Sequence, residues 1–124
     1  MAAKNGEDIS LDKLIQPGLL LFVYMKPSHG YELIQNYNKL HSNEEVEPGT
    51  IYRNLRRMEK NGFLISSWQT SESGPARRLY QITEKGIKAL DEAAIKIEQQ
   101  KNQLEHFLDL YRVHKEQGGN SHEK

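Results

Sequence analysis

Thr50, Tyr52, Arg53, Arg56, Arg57 and Lys60 lie close together in one short stretch of the chain. Arginine can bond guanine bidentately, threonine offers a hydroxyl and a methyl, and tyrosine can reach a phosphate oxygen. The same stretch carries its own boundaries. Pro48 is pre-shaped for a first helical turn, and Asn61-Gly62 suits a left-handed C-terminal cap. Between them Ile51, Leu55 and Met58 recur at i, i+4 and i+7, so one face of the helix is a core face and the cations occupy the others. Such a helix either lies against phosphates and base edges or is a solvated basic face; the rest of the chain has to decide.

With 124 residues, 36% hydrophobic and 27% charged, the chain fits one domain with a modest core, small enough for a partner to complete. The formal net charge is zero, so any nucleic-acid surface must come from local segregation of charge. From Pro48 to Arg78 there are six basic residues (Arg53, Arg56, Arg57, Lys60, Arg77, Arg78) against two acidic ones (Glu59, Glu72). Acidic residues gather instead at Glu44, Glu45 and Glu47 and along the last third.

Enzyme chemistry finds no foothold. No cysteine is present, which excludes disulfides, thiolate metal sites and a cysteine nucleophile. No nucleophile with a base, paired carboxylates or Gly-rich phosphate loop stands in a supporting context, so neither catalysis nor a cofactor is expected. His106 and His114 are eight residues apart, too far for one metal within a helix, and no metal is expected. The apolar run Leu19 to Tyr24 is far short of the ~20 residues that span a bilayer. The first residues lack the pattern of a secretory leader, so no membrane is expected and the cytoplasm is the default location.

The elements that would position the basic helix can be read in order. Residues 1–9 are polar and expected to be a flexible tail. Ser10 can cap a helix from Leu11 to about Met25, its apolar set being Leu11, Leu14, Ile15, Leu19, Phe22 and Val23, with Pro17-Gly18 inside it as a weak point. Lys26-Pro27 ends it, and Ser28 can cap a second helix from His29 to about Leu40. An acidic loop leads to Pro48. Past Gly62 the period changes to two: Phe63 to Gln69 is rich in β-formers and Arg77 to Ile82 alternates polar and apolar. Thr70 to Ala76 reads as a Ser/Gly/Pro-rich loop, so the two strands should pair as a hairpin.

Three helices and a hairpin with a polar tip form the winged helix-turn-helix arrangement, in which the third helix enters the major groove and the wing meets flanking backbone. Residues 10–82 would make this domain, with Arg77 and Arg78 on the returning strand of the wing. The fold expected is mainly α with a small β-hairpin, completed by a long C-terminal helix.

Thr83 can cap that helix, and Gly118-Gly119 should stop it near Glu116, giving a helical segment over 83–117 and a flexible tail over 118–124. Ile87, Leu90, Ala94, Ile97, Lys101, Leu104, Leu108 and Tyr111 step alternately by three and four, a sustained heptad. Roughly 33 residues at ~1.5 Å each make a rod of ~50 Å, longer than a domain this small can cover. A second copy would bury Leu90, Ile97, Lys101, Leu104, Leu108 and Tyr111, with Lys101 as the polar residue that fixes register. The other reading folds the helix back over its own domain. Phe107 and Tyr111 either belong to this core or line a small pocket for an effector.

Four pieces in order, His29-Gly30-Tyr31-Glu32-Leu33, Gly49 to Glu59, Trp68, and Gly74-Pro75-Ala76-Arg77-Arg78-Leu79-Tyr80-Gln81-Ile82-Thr83-Glu84-Lys85-Gly86, resemble the PadR family of bacterial transcriptional regulators. The similarity runs from about Leu14 to Leu90, and the length resembles the short subgroup with a single C-terminal helix. The resemblance implies a homodimeric repressor that binds a two-fold symmetric operator in double-stranded DNA and leaves it on meeting a small aromatic or drug-like effector. It implies that Thr50, Tyr52, Arg53 and Arg56 enter the major groove, that Gly74 to Arg78 form the wing, and that His29 and Tyr31 stand near the backbone. It also implies that the last helix packs on the partner's first helix, which would bring Leu14, Leu19 and Phe22 into the dimer interface. Two features depart from the pattern: the last helix has no Trp, and Glu47 stands before Pro48 where a small capping hydroxyl would be more usual. A different class of function, a winged-helix protein-interaction module that does not bind DNA, is separated from this one by the salt dependence of binding.

Overall fold

The structure, a computed structural model, describes residues 14–41, 45–71 and 74–122. The chain divides into two compact units, residues 1–91 and 92–124. The described elements are α1 (Ile15–Met25), β1 (Ser28–His29), α2 (Gly30–Leu40), α3 (Pro48–Lys60), β2 (Leu64–Ser71), β3 (Gly74–Ile82) and α4 (Glu84–His122).

Within the first unit, α1 begins at Ile15 after a single 3-10 residue, Leu14; the expected cap at Ser10 and start at Leu11 lie outside the described residues. Pro17 is therefore the third residue of the helix. N–H groups of a first turn have no acceptor within the helix, so a proline there removes no bond. The weak point expected inside a longer helix is instead a tolerated first-turn proline. Ile15, Gly18, Leu19, Leu20 and Val23 are buried.

The expected cap of the second helix shifts by one residue. Ser28 is buried and donates its hydroxyl to the Lys26 carbonyl (2.7 Å), while His29 is the N-cap and its backbone N–H donates to Glu32 Oε1 (2.8 Å). Ser28 and His29 also form a short strand paired antiparallel with Tyr80 and Leu79. The sheet is thus three-stranded, in the order β1-β3-β2, and not a simple hairpin.

The helix marked out by Pro48 and Gly62 is present as read. Ile51, Leu55 and Met58 are all 0% exposed. At its end Gly62 adopts φ +84°, its N–H donates to the Glu59 carbonyl (3.1 Å), and the N–H of Phe63 donates to the Met58 carbonyl (2.9 Å). This is the paired-bond ending that a left-handed residue makes possible, and glycine adopts it without a Cβ penalty. Glu47 stands at the N-cap and makes no side-chain capping bond.

The wing is longer than composition suggested. β2 runs to Ser71 and β3 starts at Gly74, so most of the stretch expected as loop is strand. Pro75 falls within a register irregularity between Gln69 and Ser71, where a missing N–H is tolerated. Thr83 then locks the wing to α4. Its hydroxyl donates to the Gly62 carbonyl (2.6 Å) and accepts from the Gly86 N–H (3.0 Å). The core gathers Ile15, Leu19, Leu20, Val23, Leu33, Tyr37, Ile51, Leu55, Met58, Leu64 and Tyr80, with Phe22 and Leu90 partly buried against it.

In the second unit, α4 continues through Gly118-Gly119 to His122 and does not stop near Glu116. Ile97, Leu104, Phe107, Leu108 and Tyr111 are exposed on it, and Lys101 pairs with Glu98 (3.4 Å) on the helix surface.

Candidate nucleic-acid interface

Three pieces of the first unit meet on one side: the start of α2, the length of α3 and the wing. Between them is an open cleft of about 530 Å³ lined by His29, Gly30, Tyr31, Tyr52, Arg56, Glu59, Trp68, Ala76, Arg77, Arg78 and Tyr80. Cations and aromatic rings therefore face a common space, with Glu59 as the one carboxylate among the described residues that line it.

α3 is fastened so that its charged side faces outward. Besides the apolar anchors, Gln16 donates to Asn54 Oδ1 (3.0 Å) from α1, and Asn54 donates back to the Thr50 carbonyl (2.9 Å). Arg53 is exposed and donates to the Thr50 hydroxyl (3.2 Å). Arg56, Arg57 and Lys60 are exposed, and their side chains make no hydrogen bond or ion pair with a described residue. Tyr52 leans across the cleft onto Gly30 at the first turn of α2.

The α2 end of the cleft is ordered by its cap. The His29 backbone N–H, and to a lesser degree the charges of Lys26 and His29, hold the Glu32 carboxyl below its ordinary value against the opposing effect of burial. His29 Nε2 donates to Gln69 Oε1 on the wing (2.8 Å), and its ring stacks with that of Tyr31 (5.8 Å, 8° between planes). Arg77 completes the line, with its guanidinium 5.1 Å from the Tyr31 ring centroid and Nη1 donating to the Tyr31 hydroxyl (3.2 Å). Arg78 is engaged differently: Nη1 donates to the Ser66 hydroxyl (2.7 Å) and lies 3.9 Å from Glu59 Oε2, and the guanidinium sits 4.6 Å from the Trp68 ring centroid. Burial, then the nearby Glu59 charge, pushes the Tyr80 hydroxyl's pKa above its ordinary value at the floor of the cleft.

Of the residues singled out from the sequence, His29, Tyr31, Tyr52, Arg56, Arg77 and Arg78 line this cleft, while Thr50, Arg53, Arg57 and Lys60 extend the same helix beside it. Their partners Gln16, Glu59, Ser66 and Gln69 carried no site signal in the sequence, where Trp68 stood out only through the family resemblance. A cross-strand pairing of Trp68 with Arg78 was recoverable only with the hairpin register in hand.

The expected dimer residues divide. Leu19 is 0% exposed, inside the core of the first unit. Leu14, Phe22 and Leu90 are half-buried in the first unit. Ile97, Lys101, Leu104, Leu108 and Tyr111 are exposed in the second, where Phe107 and Tyr111 stack on each other (6.4 Å, 12°). Among the described residues no three His, Asp or Glu side chains are placed to hold a metal ion, and no helix is long and apolar enough to cross a membrane.

A small sheet that docks on three helices, with a long helix following the wing, defines the winged-helix fold. Residues 19–92 match the transcriptional regulator PadR-like family, and the chain belongs to it. It is 41% identical over 64 residues to the transcriptional regulator Rv3488 of Mycobacterium tuberculosis (strain ATCC 25618 / H37Rv), a match covering 52% of this chain and 57% of that relative. The match thus spans little more than half of the relative's length. The fold is similar to that of the PadR-like transcriptional regulator BC4206 from Bacillus cereus strain ATCC 14579, with a TM-score of 0.70 and 30% identity over 79% of this chain and 94% of that one. A transcriptional regulator from Clostridium thermocellum is also similar, with a TM-score of 0.70 and 26% identity over 78% and 95% of the two chains. The family is one of transcriptional regulators, not of enzymes.

Proposed function

We propose that this regulator binds double-stranded DNA through α3 and the wing, as a homodimer on a two-fold symmetric operator in the cytoplasm, and represses transcription until a small aromatic or drug-like effector releases it. One observation carries the DNA reading. Arg56, Arg57 and Lys60 project from α3 and form no hydrogen bond or ion pair with a described residue, beside a wing arginine on the same cleft, in a chain of zero net charge. Exposed cations concentrated on one outward helix face suit a phosphate backbone, and Arg53 with Thr50 suits base edges.

The homodimer is supported by the apolar residues left exposed along α4, among them Leu104 at 50% and Leu108 at 39%. A second copy covers such a stripe and brings two reading helices to one duplex. Repression and release by an effector rest on the family resemblance. The stacked, exposed pair Phe107 and Tyr111 offers an aromatic ligand a surface at that interface.

The experiment is selection of duplexes from a random pool by the full-length protein, followed by a mobility-shift titration. Enrichment of an inverted repeat with half-sites about one helical turn (~34 Å) apart is expected. Recovery of no sequence at low salt would contradict the reading.

A further inference from the structure

We infer that Arg78 is a positioning residue that sets the wing against α3, while its neighbour Arg77 is the wing's cation for DNA. The inference rests on the DNA-binding reading above. The two arginines are adjacent on β3, so their side chains leave the strand on opposite faces. Arg77 is exposed; Arg78 is half-buried.

The Arg78 guanidinium is already used from several directions. It stacks at 4.6 Å on Trp68, the residue directly opposite it in the β2–β3 register. It donates to the Ser66 hydroxyl at 2.7 Å, and that hydroxyl donates in turn to Glu59 Oε2 at 2.5 Å. It also faces the Glu59 carboxylate directly at 3.9 Å. Glu59 belongs to α3, Ser66 and Trp68 to β2, and Arg78 to β3. One planar cation therefore joins the reading helix to both strands of the wing.

Charge bookkeeping in the cleft points the same way. Among the described residues Glu59 is the one carboxylate lining it, and it would repel a phosphate entering there. Arg78 neutralises it in place. If Arg78 turned outward to a phosphate, Glu59 would lose its cation and Trp68 its stacking partner. Lysine cannot replace it, because a point charge on a flexible stem cannot lay a planar group on the Trp68 ring while one of its N–H groups bonds Ser66.

The test uses the full-length protein and a duplex selected by the parent from a random pool. Arg78→Lys and Arg78→Gln should each lose about tenfold in affinity, the size expected when one coupled contact is removed, with the parent's salt dependence unchanged. Arg77→Gln should flatten the log-log salt slope by about 0.9, one phosphate's worth. The double variant Glu59→Gln/Arg78→Gln should bind no worse than the weaker of its single variants. Trp68 is the chain's one tryptophan, so its emission in DNA-free protein should shift in both Arg78 variants. Parental affinity in Arg78→Lys together with a flattened slope in Arg78→Gln would overturn the inference, as would unchanged Trp68 emission. Should Arg78→Gln not fold, Ser66→Ala removes the bridging hydroxyl alone; it should bind more weakly at unchanged slope, and parental binding would refute the role. Failure of the parent to select any duplex would refute the DNA reading itself. The emission shift needs no DNA and reports the Arg78 contact separately.

Discussion

Tyr52 lies so close over Gly30 that a methyl group at position 30 would sit 2.6 Å from the ring's Cε1 and 3.0 Å from its hydroxyl. Two stretches far apart in sequence, one opening α2 and one in α3, are thereby fitted to each other at the cleft. What Gly30 would displace is the far end of a side chain and not backbone. Gly30→Ala should therefore fold, with a thermal midpoint near the parent's, because the ring can swing away. The displaced ring no longer sits where the DNA is proposed to run. Affinity for a selected duplex should fall about tenfold, the cost of one lost contact, as read by mobility shift beside circular dichroism. A folded Gly30→Ala with parental affinity would show that the ring's position is irrelevant to binding.

Gly86 presents the opposite case. A Cβ there would collide with the Phe63 carbonyl oxygen and come within 2.7 Å of Ile82 Cγ1. The obstacle is backbone, held by the Thr83 N–H at 3.1 Å, so it cannot swing aside. Gly86→Ala should destabilise the protein by about 1–3 kcal/mol, the usual cost of overpacking. Urea unfolding measures this, and a midpoint equal to the parent's would contradict the close approach.

Glu32 gives the fold a pH dependence of known sign. Its carboxyl is held below its ordinary value, chiefly by the His29 backbone N–H. The ionised form thus stabilises the folded state at pH values above the ordinary carboxylate range. That contribution is lost as pH falls through the lowered folded value. Glu32→Ala should cost about 1 kcal/mol at neutral pH, the usual size of a lost cap, and the gap from the parent should narrow in acid. A gap that stays constant down to strongly acidic pH would show that the ionised carboxylate is not what matters.

The helix from Pro48 to Lys60 was legible in the sequence because every level agreed: a first-turn proline, an apolar period of i, i+4, i+7, and an Asn-Gly stop. β1 was not, because two residues carry no period, and Ser28 and His29 become a strand only where β3 offers them an edge. Composition misread the wing for a related reason. Thr70 to Ala76 is rich in loop formers, yet cross-strand pairing extends both strands into it. Periodicity identified Leu19 as apolar but could not say which core it fills, and it is sealed inside its own domain. The cations of the site were readable from charge segregation. The contacts that distinguish Arg78 from Arg77 were not, since they depend on which face of β3 meets Glu59 and Trp68.

The exposed apolar side chains of α4 make a separate prediction. Leu104 is half exposed, and a charge at that position would be buried by any partner helix. Leu104→Asp should sediment as a monomer at concentrations where the parent sediments as a dimer, and it should lose most operator affinity because half-sites are no longer bound together. A Leu104→Asp protein that remains dimeric would move the interface elsewhere.

The central claim, that the outward cations of α3 meet a phosphate backbone, is tested most directly by the salt dependence of duplex binding in the parent and in Arg56→Ala/Arg57→Ala/Lys60→Ala. The parent should weaken steeply with salt, with a log-log slope near −0.9 for each phosphate neutralised, and the triple variant should be distinctly flatter while remaining folded. A shallow slope in the parent, or the same slope in both proteins, would contradict it.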